Sequence, residues 1–173
     1  MAVMSGQTHH YHVEIEWQGN RGSGTSAYTA YGRTHEVRAP GKVSIAASSD
    51  PAFRGEPDRW NPEEMLVATL AQCHMLSYLH EAVLAGVAVT AYSDAASGTM
   101  TESPDGGGHF VEAVLRPVVT VAEASMADRA ATIHGPAGEK CFIAASVNFP
   151  VRCEPTILVQ APTESPAPAG SRD

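Results

Sequence analysis

A single long helix is the feature that most constrains this chain. Asn61 has the chemistry of an N-cap, and Pro62 follows it at the first helical position, where a missing N–H costs nothing. No helix breaker then appears until Gly86. About 25 residues at 1.5 Å each give a helix of roughly 37 Å. Because that exceeds the radius of a small domain, we expect the helix to run through the middle of the molecule or between two copies of it.

The predicted helix carries two chemically active side chains that lie far apart on it. Glu63 falls in the first turn, where the helix dipole favours a negative charge, and Cys73 lies ten residues later. Ten residues correspond to about 15 Å along the axis and about 80° in direction, so the two side chains cannot meet within one helix. Either Glu63 is only a dipole-matched residue, or a second copy of the chain brings a glutamate to the thiol.

The other two cysteines have different sequence contexts. Cys141 follows Lys140 and comes five residues after Pro136, within or just past the first turn of a predicted helix; both features would lower its thiol pKa. Cys153 is interpreted as a structural residue at a strand end, without a partner. Each of the three cysteines can also be an inert apolar filler. An odd cysteine count argues against a secreted disulfide framework and favours a cytoplasmic protein.

Alternating polar and apolar residues predict strands on both sides of the helix. The order is three strands, the long helix, two or three strands, two short helices that meet near Gly135, and one or two final strands. The pattern predicts the α+β class, with two antiparallel groups of strands around a central helix. We expect residues 1–160 to form a single domain and residues 161–173 to form a disordered C-terminal tail.

Charge and hydropathy exclude several classes of function. A net charge of −8 argues against a nucleic-acid-binding surface. His74, His80 and Glu81 interrupt the longest apolar stretch, so it predicts a core helix and no membrane span. The first residues carry neither a basic nor an apolar leader segment, so no signal peptide is predicted.

Histidines offer an alternative in metal binding, but the spacing is poor. His9, His10 and His12 could chelate an ion, and Cys73 shares a helix face with His80. Seven residues span about 10.5 Å, which is too far for one ion. No CxxC or HExxH motif is present. The sequence therefore predicts no metal site and no cofactor.

Two segments together resemble a known family. The segment "WNPEEMLVATLAQC" and, some seventy residues later, "EKCFIAASVNFPV" are similar to the OsmC/Ohr family of thiol-dependent hydroperoxide reductases. The resemblance runs from about Tyr11 to Val159 and is stronger to the OsmC-like branch. It implies an OsmC-like fold in an intertwined homodimer, with long central helices packed together, strands from both subunits around them, and two active sites at the interface.

The resemblance also implies a reaction and a set of site residues. Cys73 would be the peroxidatic nucleophile, and Cys141 would resolve its sulfenic acid as an intrachain disulfide. Glu63 would hold and polarise the site. The implied partners are an organic hydroperoxide, and hydrogen peroxide as a further substrate, together with a dithiol reductant. A non-catalytic ligand-binding or stress-related dimer of the same fold is the alternative.

The family's arginine is the residue hardest to transfer. It follows an early strand in a Gly-Arg context, and "YGRTHEV" supplies Arg33 at the matching place. Arg38 and Arg54 are the other candidates. The resemblance assigns no role to His74, although it directly follows the first cysteine.

Overall fold

The computed structural model describes residues 6–161, which divide into two compact units. The first unit ends at Leu66 and the second begins at Val67. That the chain forms one domain over residues 1–160 stays a prediction. The predicted disordered tail lies outside the described residues except for its first position, residue 161.

The first unit contains a three-stranded antiparallel sheet. Its strands, β1 (Glu14–Trp17), β2 (His35–Arg38) and β3 (Ile45–Ala47), pair in the order β1-β2-β3, followed by a short 3-10 helix at Pro51–Phe53. The three predicted strands are confirmed, although each strand is shorter than the segment of sequence that predicts it. The expected half-buried first strand is wrong for the single chain, because every residue of β1 is exposed.

The long helix, α1 (Pro62–Leu84), begins where the sequence predicts it. Asn61 accepts a hydrogen bond from the backbone N–H of Glu64 through its Oδ1 at 2.8 Å, which caps the first turn. After 23 residues the helix ends near Gly86, which has a φ of +66°. Glycine adopts this left-handed conformation without the steric cost of a Cβ, and it stops the helix.

One face of α1 is buried and another is exposed although it is apolar. The buried residues recur every four positions, which places them on one stripe of the helix. They are Leu70, His74, Tyr78 and Ala82. Large apolar side chains elsewhere on the helix are exposed: Leu76, Val83 and Leu84. A helix that is apolar around most of its circumference normally has neighbours on more than one side.

The second unit contains two three-stranded sheets and the helix α2 (Ala127–Glu139). One sheet has the order β4-β7-β9 and the other β5-β6-β8. Their strands are β4 (Val89–Asp94), β5 (Ser97–Glu102), β6 (Gly108–Leu115), β7 (Pro117–Val121), β8 (Val151–Cys153) and β9 (Thr156–Val159). In each sheet the last strand is added in parallel, β8 to β6 and β9 to β7, a pairing that the sequence does not predict.

Residues 89–102 and residues 108–121 each contribute one strand to both sheets. The first breaks between Asp94 and Ser97, and the second breaks at Arg116. Asp94 accepts a hydrogen bond from the backbone N–H of Arg116 at 2.7 Å, so the two breaks lie side by side. Pro117, which cannot donate to a ladder, opens the strand after the break. The α+β class is confirmed, with three small sheets in place of the two expected groups.

The helix α2 passes through the point where the sequence predicts a boundary. Gly135 and Pro136 suggested two helices, but Pro136 lies inside one continuous helix that reaches Glu139. Proline inside a helix removes one hydrogen bond and crowds the preceding turn. The buried face of α2, which includes Ile133 and Ala137, packs into the same core as Tyr78 and Val119. This packing offsets the cost of the proline and overrides the local signal.

Residues 6–161 contain no helix whose length and apolar character suit a membrane crossing.

Candidate active site

Two of the three cysteines meet in the second unit. Cys73 lies near the middle of α1, and Cys141 follows the end of α2. Their Sγ atoms are 2.6 Å apart, and both thiols are reduced. Since the sulfurs of a disulfide are about 2.05 Å apart, a small movement would bring them to bonding distance once one of them is oxidised. Cys73 is half-buried, whereas Cys141 is 1% exposed, so Cys73 is the more accessible of the two thiols.

Cys141 lies at the wrong end of a helix for the predicted activation. It follows the C-terminus of α2, where the helix dipole disfavours a thiolate, and it precedes only a short 3-10 helix at Ala144–Ser146. Lys140 does not stabilise the Cys141 thiolate either, because its Nζ forms an ion pair with Glu81 at 2.7 Å. Burial, followed by the hydrogen bond with Cys73, raises the pKa of Cys141. The prediction of a lowered pKa is therefore wrong, although the backbone N–H of Ala144 donates to its sulfur at 3.4 Å.

A cavity of about 250 Å³ adjoins Cys141. Its apolar wall comes from α1, β6, β8 and the segment after α2: Leu70, Leu115, Val151 and Ala144. Its polar groups include two imidazoles and the third thiol, from His74, His134 and Cys153. A cavity of this composition suits a ligand with an apolar body and one polar end.

His74, His134 and Cys153 form a compact cluster that the sequence does not predict. His74 Nε2 is 3.0 Å from His134 Nδ1. Cys153 Sγ lies 3.5 Å from His74 Nε2 and 3.7 Å from His134 Nδ1. The expectation that Cys153 has no partner is wrong, although it does end strand β8. The three residues come from α1, α2 and β8, so no local spacing in the sequence reveals them.

Burial sets the protonation of this cluster. It lowers the pKa of His134 to about 4, with a further contribution from the nearby His74. It also lowers the pKa of His74, although Asp94 partly opposes this effect. Both imidazoles are therefore neutral at physiological pH. Burial, together with Asp94 and Glu154, raises the pKa of Cys153 to about 11, so this thiol is protonated.

Arg33 and Glu63 belong to the first unit. The guanidinium of Arg33 stacks on the rings of Tyr28 and Tyr31, at 4.4 and 4.1 Å, and donates from Nη1 to the carbonyl of Tyr31 at 2.7 Å. Its Nη2 is buried without a partner, and so is Oε2 of Glu63. Within residues 6–161 the two side chains form no ion pair with each other.

The backbone before Arg33 is held by a close approach of two glycines. Gly32 donates its backbone N–H to the carbonyl of Gly19 at 2.8 Å, and a Cβ on Gly19 would overlap the carbonyl of Gly32. Trp17 donates its indole N–H to the same carbonyl of Gly32 at 2.9 Å. These contacts fix the start of the segment that presents Arg33.

The other two candidate arginines are placed differently. Arg38 is exposed and forms ion pairs with Glu16 on strand β1 and with Glu36 on its own strand, β2. Arg54 is exposed, has a φ of +69° and caps the end of the short 3-10 helix. Arg33 alone among the three has a buried N–H group without a partner.

Comparison with known protein families shows which family the chain belongs to. The family described as OsmC-like protein matches residues 55–156, more than half of the chain. The chain belongs to the OsmC-like family. Of the solved structures, an OsmC-like protein of unknown function from Vibrio cholerae is 30% identical, with a TM-score of 0.73 over 86% of this chain and 99% of that one. No curated protein matches.

More distant structures share the fold of this OsmC-like protein. An organic hydroperoxide resistance protein OsmC from Legionella pneumophila is 16% identical, with a TM-score of 0.65 over 89% of this chain and 100% of that one. An organic hydroperoxide resistance protein from Elizabethkingia anophelis is 14% identical, with a TM-score of 0.62 over the same shares of the two chains.

Proposed function

We propose that this OsmC-like protein is a thiol-dependent hydroperoxide reductase. The contact between Cys73 and Cys141 is the observation that carries the proposal, because it places two reduced thiols 68 residues apart in sequence within reach of a disulfide. A pair used only for packing needs no such contact between sulfurs. The names of the Legionella and Elizabethkingia proteins, both described by resistance to organic hydroperoxides, support the same class of reaction.

In the first step the thiolate of Cys73 attacks the distal oxygen of the hydroperoxide. The O–O bond breaks, the OH group passes to sulfur as a sulfenic acid, and the alkoxide leaves and takes a proton to become the alcohol. Cys73 suits this role because it is the more accessible thiol of the pair. Cys141 is 1% exposed and is therefore the less accessible thiol for a peroxide that arrives from solvent.

In the second step Cys141 resolves the sulfenic acid. Its thiolate attacks the sulfur of Cys73, an S–S bond forms, and hydroxide leaves and is protonated to water. The N–H of Ala144, which already donates to the Cys141 sulfur, would stabilise that thiolate. An external dithiol then supplies two electrons and two protons, becomes a disulfide itself and restores both thiols. A reducing compartment such as the cytoplasm supplies such reductants.

The cavity beside Cys141 favours an organic peroxide. Its wall of leucine, valine and alanine side chains would accept an alkyl or aryl group, whereas hydrogen peroxide has no apolar part to bury there. We therefore place organic hydroperoxides first and treat hydrogen peroxide as a poorer substrate.

We propose that the working protein is a homodimer. Large apolar side chains of both units are exposed in the single chain, far more than isolated surface residues require. In the first unit they include Tyr11, Val13, Ile15 and Val43, and in the second Leu76, Val83, Leu84 and Phe142. An intertwined dimer that packs α1 against its copy would cover such surfaces.

Within the dimer, Glu63 and Arg33 would complete the site at Cys73. Each has a buried polar atom without a partner in the single chain, which fits a site that a second subunit completes. The fixed positive charge of Arg33 would favour the Cys73 thiolate and the leaving alkoxide. Glu63 would orient the guanidinium and accept a hydrogen bond from the hydroperoxide.

Steady-state turnover tests the proposed function. The reduced protein should consume an organic hydroperoxide such as cumene hydroperoxide in the presence of a dithiol, with one alcohol formed per peroxide consumed. The ratio kcat/KM should be at least about tenfold higher than for hydrogen peroxide, because apolar contacts of a few methylene groups contribute that much. Alcohol formation no faster than with dithiol alone would exclude the proposal.

The resolving step should accelerate with pH. Because the pKa of Cys141 is raised, its thiolate is scarce at neutral pH, and each pH unit below that pKa changes the thiolate fraction about tenfold. After a rapid pulse of one equivalent of peroxide, the rate constant for disulfide formation should therefore rise about tenfold per unit between about pH 6 and about pH 8. The slow phase should be absent from Cys141→Ser. A slow phase with the same rate across this range would contradict the assignment.

Arg33→Lys should slow the first step by about tenfold to a hundredfold. Lysine keeps the charge but lacks the planar fork of donors and the stacking on two tyrosine rings. The measurement is the second-order rate constant for loss of the Cys73 thiol. Arg38→Lys is the matched control, since Arg38 is exposed and paired with glutamates. Equal effects of the two substitutions would remove Arg33 from the site.

A further inference from the structure

His74, His134 and Cys153 line the cavity that would hold the organic group of the peroxide, but no step of the proposed reaction uses their side chains. His74 is 2% exposed and His134 is 6% exposed, and both are polar groups deep in the second unit. Each offers a side chain of the type that binds borderline-soft metal ions, as does Cys153. The three candidate ligand atoms all lie within 4.8 Å of one another.

The geometry points to a binding site for a divalent metal ion of the Zn²⁺ class, with His74 Nε2, His134 Nδ1 and Cys153 Sγ as ligands. In a tetrahedral zinc site, bond lengths of about 2.05 Å to nitrogen and about 2.3 Å to sulfur separate two nitrogens by about 3.3 Å and nitrogen from sulfur by about 3.6 Å. The corresponding distances here are 3.0, 3.5 and 3.7 Å. An ion therefore fits between the three atoms with shifts of a few tenths of an ångström.

Electrostatics around the cluster favours a cation. Neutral imidazole is the form that ligates a metal, and the two ring nitrogens face each other at 3.0 Å. The carboxylate of Asp94 acts on both His74 and Cys153, and its Oδ2 is buried without a partner. A divalent ion with one thiolate ligand has a net charge of +1, which this carboxylate would balance.

A purely hydrogen-bonded cluster accounts for less of the arrangement. One shared proton between His74 and His134 explains their contact, but it does not account for Cys153 Sγ, which lies 3.5 and 3.7 Å from the same two nitrogens. Three protein ligands leave one position of a tetrahedral ion for water or a small ligand. That fourth ligand would come from the cavity, because all three residues line it.

Cobalt titration of the full-length chain tests the site without reference to activity. After reduction and removal of metals with a chelator, Co²⁺ is added to Cys73→Ser/Cys141→Ser, which removes the redox pair as a competing site. We expect one equivalent of Co²⁺, the visible spectrum of a tetrahedral ion and a charge-transfer band from one thiolate. Adding Cys153→Ser or His74→Gln to that variant should weaken binding at least about a hundredfold. Zn²⁺ should displace the cobalt.

Two controls separate this site from others and from misfolding. Replacing His9, His10 and His12 with alanine should leave the cobalt spectrum unchanged. In the wild-type chain, which needs no substitution to fold, Zn²⁺ should slow alkylation of Cys153 at least about tenfold more than alkylation of Cys73. No cobalt binding to the folded Cys73→Ser/Cys141→Ser variant, or zinc protection confined to Cys73 and Cys141, would overturn the inference. Because the proposed reductase does not use this ion, either proposal can fail alone.

Discussion

Replacing Cys73 with serine is expected to lower the rate constant for reaction with an organic hydroperoxide by at least about a thousandfold. The alcohol is a far weaker nucleophile than a thiolate, and no other described thiol takes its place: Cys141 is buried and Cys153 is held protonated. The measurement is peroxide consumption in a single turnover, without reductant, so that the supply of dithiol cannot limit the rate. A residual rate within about tenfold of wild type would remove Cys73 from the reaction.

Cys141→Ser should behave differently from Cys73→Ser although it removes the other half of the same contact. The first equivalent of peroxide should still be consumed at close to the wild-type rate, because the nucleophile is intact. The sulfenic acid should then accumulate on Cys73 and oxidise further with excess peroxide. Trapping with dimedone followed by mass spectrometry distinguishes the two variants. A dimedone adduct on Cys141 of Cys73→Ser would reverse the assigned roles.

Hybrid dimers of Glu63→Ala and Cys73→Ser chains should recover about half of the wild-type activity, although each parent dimer is nearly inactive. If the glutamate of one subunit serves the cysteine of the other, one site of the hybrid lacks both residues and the other site is intact. Chains with two different affinity tags, produced together and purified on both tags, provide the hybrid. Activity no higher than that of the parents would contradict a site shared between subunits.

Glu64→Ala supplies a matched control for that experiment. Glu64 is adjacent to Glu63, and its side chain is exposed. The substitution leaves its backbone N–H in place, so the hydrogen bond from this N–H to the capping side chain of Asn61 is kept. The Glu64→Ala dimer should keep nearly full activity, and its hybrid with Cys73→Ser should have about half of that. A large loss in the control would show that the first turn of α1 matters for folding more than for chemistry.

Local signals predict α1 and its cap well, because the determinants are adjacent in sequence. Asn61 acts through its side-chain oxygen, Pro62 and Gly86 act through their backbone conformations, and the helix begins and ends beside them. The same kind of signal fails at Pro136. There the buried face of α2 packs into the core of the second unit, and this tertiary contact outweighs the local cost of proline.

The candidate site likewise contains residues that the sequence predicts and residues that it does not predict. The resemblance to the family singles out Cys73 and Cys141, and the structure brings their sulfurs together. No pattern in the sequence indicates the cluster of His74, His134 and Cys153, because 60 residues separate the first two and 19 the last two. The parallel pairing of β6 with β8 positions Cys153, and the sequence does not predict that long-range pairing.

The most direct test of the central claim is the identity of the bond that forms after one equivalent of peroxide. The fully reduced protein is treated with cumene hydroperoxide, remaining thiols are blocked with an alkylating reagent, and the peptides are mapped without reduction. The contact between the two sulfurs predicts the loss of two thiols per chain, a Cys73–Cys141 crosslink, and a fully alkylated Cys153. Three alkylated cysteines, or a crosslink that includes Cys153 in place of Cys73, would contradict it.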